Sequence, residues 1–203
     1  ARGGHAREGG ALAAVVRPGG DIVIAGAADE RLALVDLGPD GRLRRGFGHG
    51  GTLTCACGGP RPHQVDLVLH RGHLYVLDHW QTGFAEGVDL VKLTGAGRLD
   101  RSFAGRGHRP VDLGSTLGLF AAGKRLLAVG LRDFLGPTRV RAFGLDGRLD
   151  HSFRSPPAVF PGGYVSSGVA VAAQQLDGRV VLVGEAPGGT SVRPAPLELI
   201  GVR

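Results

Sequence analysis

The chain has no methionine and no asparagine, two cysteines, and lysine only at Lys92 and Lys124 among its 24 basic residues. Codon bias in a GC-rich genome produces this arginine-heavy composition without any selection on function. Cys55 and Cys57 are too few for a disulfide framework and set no redox compartment. The longest apolar runs are about half a membrane span, which excludes a transmembrane helix. No five basic residues run together, so the net charge of +6 reads as a solvated basic surface and not as a nucleic-acid footprint. Neither a Gly-x-Ser-x-Gly elbow around Ser115, Ser166 or Ser167 nor a Gly-rich phosphate loop is present, so no catalytic residue and no cofactor is assigned. Lacking an initiator Met, the chain reads as a processed product or an excerpt of a longer one. Residues 1–10 form a flexible lead-in without a visible signal segment.

Glycine, by contrast, is abundant at 37 of 203 residues, and it recurs in register. The string Gly-Arg-Leu-x-x-x-Phe begins at Gly41, Gly97 and Gly147 and ends at Phe47, Phe103 and Phe153. A period of 50 to 56 residues signifies a repeat architecture. Four apolar strands, starting at Ile22, Leu74, Leu126 and Val180, are 52, 52 and 54 residues apart. Each follows another apolar stretch, at 11–16, 65–69, 117–121 and 168–173, across a glycine-bearing turn, which makes an antiparallel hairpin. Third strands are expected at 31–37, 88–93, 138–143 and 196–200, and fourth strands at 51–56, 108–113 and 157–160. The extra residue of Lys124-Arg125 suggests a bulge there. Leu and Phe of the repeated string, four apart, are expected to meet on one side of a helical turn and plug adjacent sheets.

Four-stranded units of this length predict an all-β fold, a β-propeller-type array of about four blades of 50–56 residues, with an incomplete ring as one form. The repeat domain spans 11–203, divided near 11–62, 63–115, 116–163 and 164–203. A two-sheet sandwich is the alternative architecture. A blade lacking its outer strand leaves an open edge, so further blades in a longer chain or self-association through a second copy are expected.

Arg17-Pro18-Gly19-Gly20-Asp21-Ile22-Val23-Ile24-Ala25-Gly26, with Gly97-Arg98-Leu99-Asp100-Arg101-Ser102-Phe103 and Asp146-Gly147-Arg148-Leu149-Asp150-His151-Ser152-Phe153, resembles the two segments of the bacterial delta-60 repeat family. The resemblance implies a propeller-like array in exported or surface-associated bacterial proteins and carries over no catalytic residue. Repeat two departs from it, with His70-Arg71-Gly72-His73 at the turn and Leu77-Asp78 for the closing Ala-Gly, and the first copy has Arg44-Arg45-Gly46 in place of Asp-x-Ser.

Loops between second and third strands vary most, at 27–30, 79–87, 131–137 and 185–195, and equivalent loops open on one face. Trp80, Phe84, Phe134 and Leu135 would give that face apolar contacts, with Arg132 and Asp133 as polar ones, for an unknown protein or carbohydrate ligand. Repeat two also concentrates His63, His70, His73, His79 and Asp78 beside Cys55 and Cys57. These are zinc-ligand types, but their spacings match no established zinc pattern, and His70 and His73 flank a turn as solvated residues commonly do. The function expected is a non-enzymatic binding or scaffold module. A propeller hydrolase or lyase with its site at the ring centre is the alternative, which the apolar stretches 11–16 and 168–173 disfavour.

Overall fold

The computed structural model describes residues 9–132, 138–154, 169–175 and 180–184, and the chain divides at Pro110 into two compact units. Among the described residues there is no α-helix; the fold is all-β, with several antiparallel sheets. In the first unit β1 (Gly9–Val16), β2 (Ile22–Ala28), β3 (Arg31–Leu37) and β4 (Thr52–Cys55) form one sheet in sequence order. The strands β5 (Pro62–His70), β6 (His73–Thr82), β7 (Ala85–Thr94) and β8 (His108–Val111) form a second in the same way. In the second unit β9 (Ser115–Ala122), β10 (Arg125–Leu131) and β11 (Thr138–Gly144) form a three-stranded sheet, and β12 (Val169–Gln174) pairs with β13 (Val180–Gly184). The strands expected at 157–160 and 196–200 lie outside the described residues.

Two-residue turns set the hairpin registers. Asp29-Glu30 and Arg71-Gly72 hold positive φ at both positions, the backbone whose twist matches that of the flanking strands. No bulge occurs at Lys124-Arg125, since Arg125 pairs regularly with Ala122. The irregularities lie at the other end of each first hairpin, beside Gly26, Gly130 and Gly184. A Cβ on Gly26 would stand 1.9 Å from Gly10 O, and one on Gly130 would stand 2.0 Å from Ser115 O. The closing glycine therefore lets the bulged first strand cross the second. Repeat two has Asp78 at this position, and its irregularity moves to Pro62/Gln64.

The two sheets of the first unit share one core, and they meet through unlike faces. The first sheet contributes Val23, Ala25, Leu32, Leu34 and Phe47, and the second contributes Val65, Leu67, Leu74, Val76, Val91 and Leu93. By repeat equivalence Leu74 and Val76 match Ile22 and Ile24, which lie on the opposite face of β2 from Val23 and Ala25. The packing is thus head to tail: the face of the first sheet that carries Val23 and Ala25, its odd face after the numbering of β2, lies on the face of the second that carries Leu74 and Val76, its even face after the numbering of β6. Strand β6 is buried on both faces, with Leu74, Tyr75, Val76 and Leu77 all 1% exposed or less. That accounts for its continuous apolar run.

The repeated string builds one turn three times. The backbone N–H groups of Gly38, Thr94 and Gly144 donate to Arg42, Arg98 and Arg148 O at 2.8 Å, and those of Arg44, Asp100 and Asp150 donate to Asp36, Lys92 and Ala142 O at 2.8 to 2.9 Å. Isolated bridges join Leu37 to Leu43, Leu93 to Leu99 and Phe143 to Leu149. Leu and Phe do not meet on one side of a helical turn, as the spacing suggested. Bridging the third strand fixes Leu99 on the even face, in the core shared with the first sheet, while Phe103 is buried against Tyr75 on the odd face, ring centroids 6.2 Å apart. Phe47 does the plugging. It sits over Gly97, where a Cβ would come within 2.6 Å of the ring and where φ is +69°.

Candidate functional site

The segment 79–87, expected as a loop, is instead the paired end of β6 and β7, closed by the two-residue turn Gly83-Phe84. Its residues favour extension because Trp80 is anchored on three sides. The indole Nε1–H donates to Asp89 Oδ2 at 3.0 Å, and the ring lies on glycines: a Cβ on Gly59 would be 1.9 Å, and one on Gly87 2.6 Å, from its atoms. Trp80 is therefore a half-buried packing residue that stiffens the hairpin. Phe84, at the tip, is fully exposed. Arg132 is exposed just after β10, in the other unit, and Asp133, Phe134 and Leu135 lie outside the described residues.

Below Trp80 on the same face is Asp78, 0% exposed and directly opposite Asp89 across the strand pair. Burial, and secondarily the like charge of Asp89, push the Asp78 carboxyl up from 3.8 to about 7. The nearby Gly59 N–H pulls weakly the other way and falls short of a well-formed hydrogen bond, leaving both carboxyl oxygens without a partner. Asp89 is better served, with Trp80 on one oxygen and His108 Nδ1 3.2 Å from the other. Burial therefore favours the neutral carboxyl, which keeps its proton through mildly acidic pH and gives it up around neutrality. It is sealed in the inter-sheet core, where it cannot reach a substrate.

His70, His73 and His79 do not converge. His70 and His73 flank the β5–β6 turn, with His73 Nδ1 3.1 Å from Arg71 O and Nε2 3.7 Å from Asp100 Oδ2. His79 lies near the other end of β6, on the face opposite Asp78. It is buried edge-on to His63 with ring centroids 5.8 Å apart, and neither ring nitrogen has a hydrogen-bond partner. Burial pushes its pKa down, with smaller opposed effects of Glu86 and His63. Cys55 and Cys57 are joined in a disulfide, which removes both thiolates as metal ligands. Among the described residues no three His, Cys, Asp or Glu side chains are arranged to hold a metal ion.

At the opposite end of the first unit, an open cleft of about 550 Å3 is lined by Arg17, Asp21, Asp36, Arg44, Arg45 and Phe47. It explains the departure of the first repeated string. In repeat three Arg125 Nε donates to Asp150 Oδ2 at 2.6 Å, and in repeat two Lys92 Nζ is 2.9 Å from Asp100 Oδ2. Ser102 and Ser152 hydroxyls, then these cations, lower Asp100 and Asp150 to about 2. Repeat one has the opposite arrangement: Arg44 stands where Asp100 and Asp150 do, Asp21 where His73 and Arg125 do, and Asp36 where Lys92 does. Arg44 Nη2 lies 3.1 Å from Asp21 Oδ2. Arg17 Nη2 adds an ion pair to Asp36 at 3.3 Å and donates to Gly95 O, in the turn just after β7, at 2.7 Å. The cleft thus sets three arginines against two aspartates, with the polarity of the Asp21–Arg44 pair opposite to that of the equivalent Arg125–Asp150 pair.

No family model matches the sequence, and no curated protein matches it. Among solved structures, a subtype N10 neuraminidase-like protein of A/little yellow-shouldered bat/Guatemala/060/2010 is similar over 88% of this chain, with 12% identity and a TM-score of 0.43. The chain spans 64% of that protein's length.

Proposed function

We propose that this chain is a non-enzymatic binding or scaffold module, a β-propeller-type array of about four repeats of the delta-60 kind. Its hairpin end meets a protein or carbohydrate ligand. The observation that carries this reading is Phe84, wholly exposed at the tip of a hairpin made rigid by Trp80. An aromatic side chain held out on a stiff support offers a large contact area at low entropic cost, the usual character of an interaction anchor. The Cys55–Cys57 disulfide supports an exported or cell-surface bacterial protein, since disulfides persist in oxidising compartments. A hydrolase or lyase that used Asp78 or His79 would need them open to substrate, and they are 0% and 7% exposed. Labelled protein on glycan and peptide arrays tests the reading: Phe84→Ala is expected to weaken capture at least about tenfold with an unchanged melting temperature. Undiminished capture by that variant, or turnover of a captured glycan, would overturn it.

A further inference from the structure

Within the first unit, and among the described residues, the head-to-tail packing leaves one face of the first sheet with no counterpart. In the second sheet the row Leu69, Leu74, Leu93 and Leu99 lies in the shared core, and so does the row Leu67, Val76 and Val91. The equivalent rows of the first sheet are Val16, Ile22, Leu37 and Leu43, then Ala14, Ile24 and Val35. They are apolar position for position, yet Val16 is 67% and Leu43 48% exposed, and an open hollow of about 520 Å3 lies over Ile24, Ala33, Val35 and their neighbours. The motif glycines show the same asymmetry. Gly97 carries Phe47 of the preceding repeat, whereas Gly41, at φ +75°, has nothing within 4 Å of a built Cβ.

We infer that this face is an acceptor surface for a sheet of the same repeat type supplied by a second copy of the chain, so that copies associate head to tail. The occupant follows from continuity with the interface already formed in the first unit, where the equivalent apolar rows of the second sheet take an odd face of the Val23 and Phe47 kind. The chain carries odd-face residues elsewhere, among them Val181 on β13, which is partly exposed. Unlike faces on one molecule make a heterologous contact, which closes into a ring or extends as a filament. An apolar sheet face of this kind is costly to leave in water. The inference rests on the repeat stacking and not on the Phe84 hairpin.

Sedimentation velocity from micromolar to millimolar chain, with circular dichroism melts, tests it. Wild type is expected to show mass rising with concentration. Val16→Arg, at a side chain already two-thirds exposed, or Ile24→Arg at the centre, is expected to raise the dissociation constant at least about tenfold while the protein remains folded. Loss of association in either folded variant supports the acceptor surface. A wild type that stays monomeric throughout overturns it, whether the face is then open or covered from within the same chain, and so does association that survives both substitutions. Phe84→Ala should leave association unchanged, which separates this test from that of ligand binding.

Discussion

Replacing Asp78 by Asn should flatten a pH dependence that the buried carboxyl imposes on stability. The carboxyl titrates near 3.8 in an unfolded chain and at about 7 in the fold. Because the folded value is the higher, the folded state binds the extra proton between these limits. Its stabilising effect is complete below about pH 4 and is lost as pH rises through about 7. At roughly 1.36 kcal/mol per unit the span is on the order of 4 kcal/mol, a large share of the stability of an ordinary domain. His79 acts with the opposite sign: its depressed value means that stability is present above about 6.5 and lost as pH falls. Comparison of wild type with Asp78→Asn isolates the carboxyl. Urea melts from pH 4 to 8.5 should show the two proteins diverging, with the variant gaining on wild type by several kcal/mol toward alkaline pH. Parallel curves would refute the burial of an ionisable Asp78 in the inter-sheet core.

The reversed ion pair makes a second prediction. Arg44→Asp sets a third carboxylate beside Asp21 and Asp36 and should cost about 1 kcal/mol, modest because Arg44 is 56% exposed. Adding Asp21→Arg should restore most of the loss, and a double-mutant cycle without coupling would contradict the Asp21–Arg44 ion pair. Gly41 and Gly97 occupy the same motif position with similar positive φ, so an alanine at either strains the backbone by about 1 kcal/mol. Gly97→Ala must also displace Phe47 and should lose about 2 to 4 kcal/mol in all, whereas Gly41→Ala should not. Equal thermal destabilisation would argue against head-to-tail stacking.

Much of the strand pattern was legible because hairpins are local: an apolar run, a turn glycine and a second run specify a pair without distant information. Ile22, Leu74, Leu126 and Val180 each begin or directly follow the start of the second strand of a hairpin. Facing was harder. Leu99 and Phe103 look like helical neighbours in sequence, but the bridge to Leu93 turns one to each side of the sheet. Trp80 was legible as an aromatic residue and not as a strand residue, because its support comes from Gly59 on another segment as well as from Asp89 and Gly87. The sign reversal at Arg44 is a departure only when read alone. Aligning Asp21 with His73 and Arg125 by repeat position would have exposed it, since the pairing depends only on the common period.

The central claim is that the two sheets of the first unit stack through unlike faces and that, among the described residues of that unit, the Ile24 face of the first sheet is open. Thiol reactivity at equivalent positions tests it most directly, with Ile24→Cys and Val76→Cys each placed in a Cys55→Ser/Cys57→Ser background and labelled at low concentration. Val76 is 0% exposed between the sheets, so its thiol should react at least about a hundredfold more slowly than that at position 24, since labelling there requires the interface to open. Equal rates, or faster labelling at position 76, would contradict the stacking order.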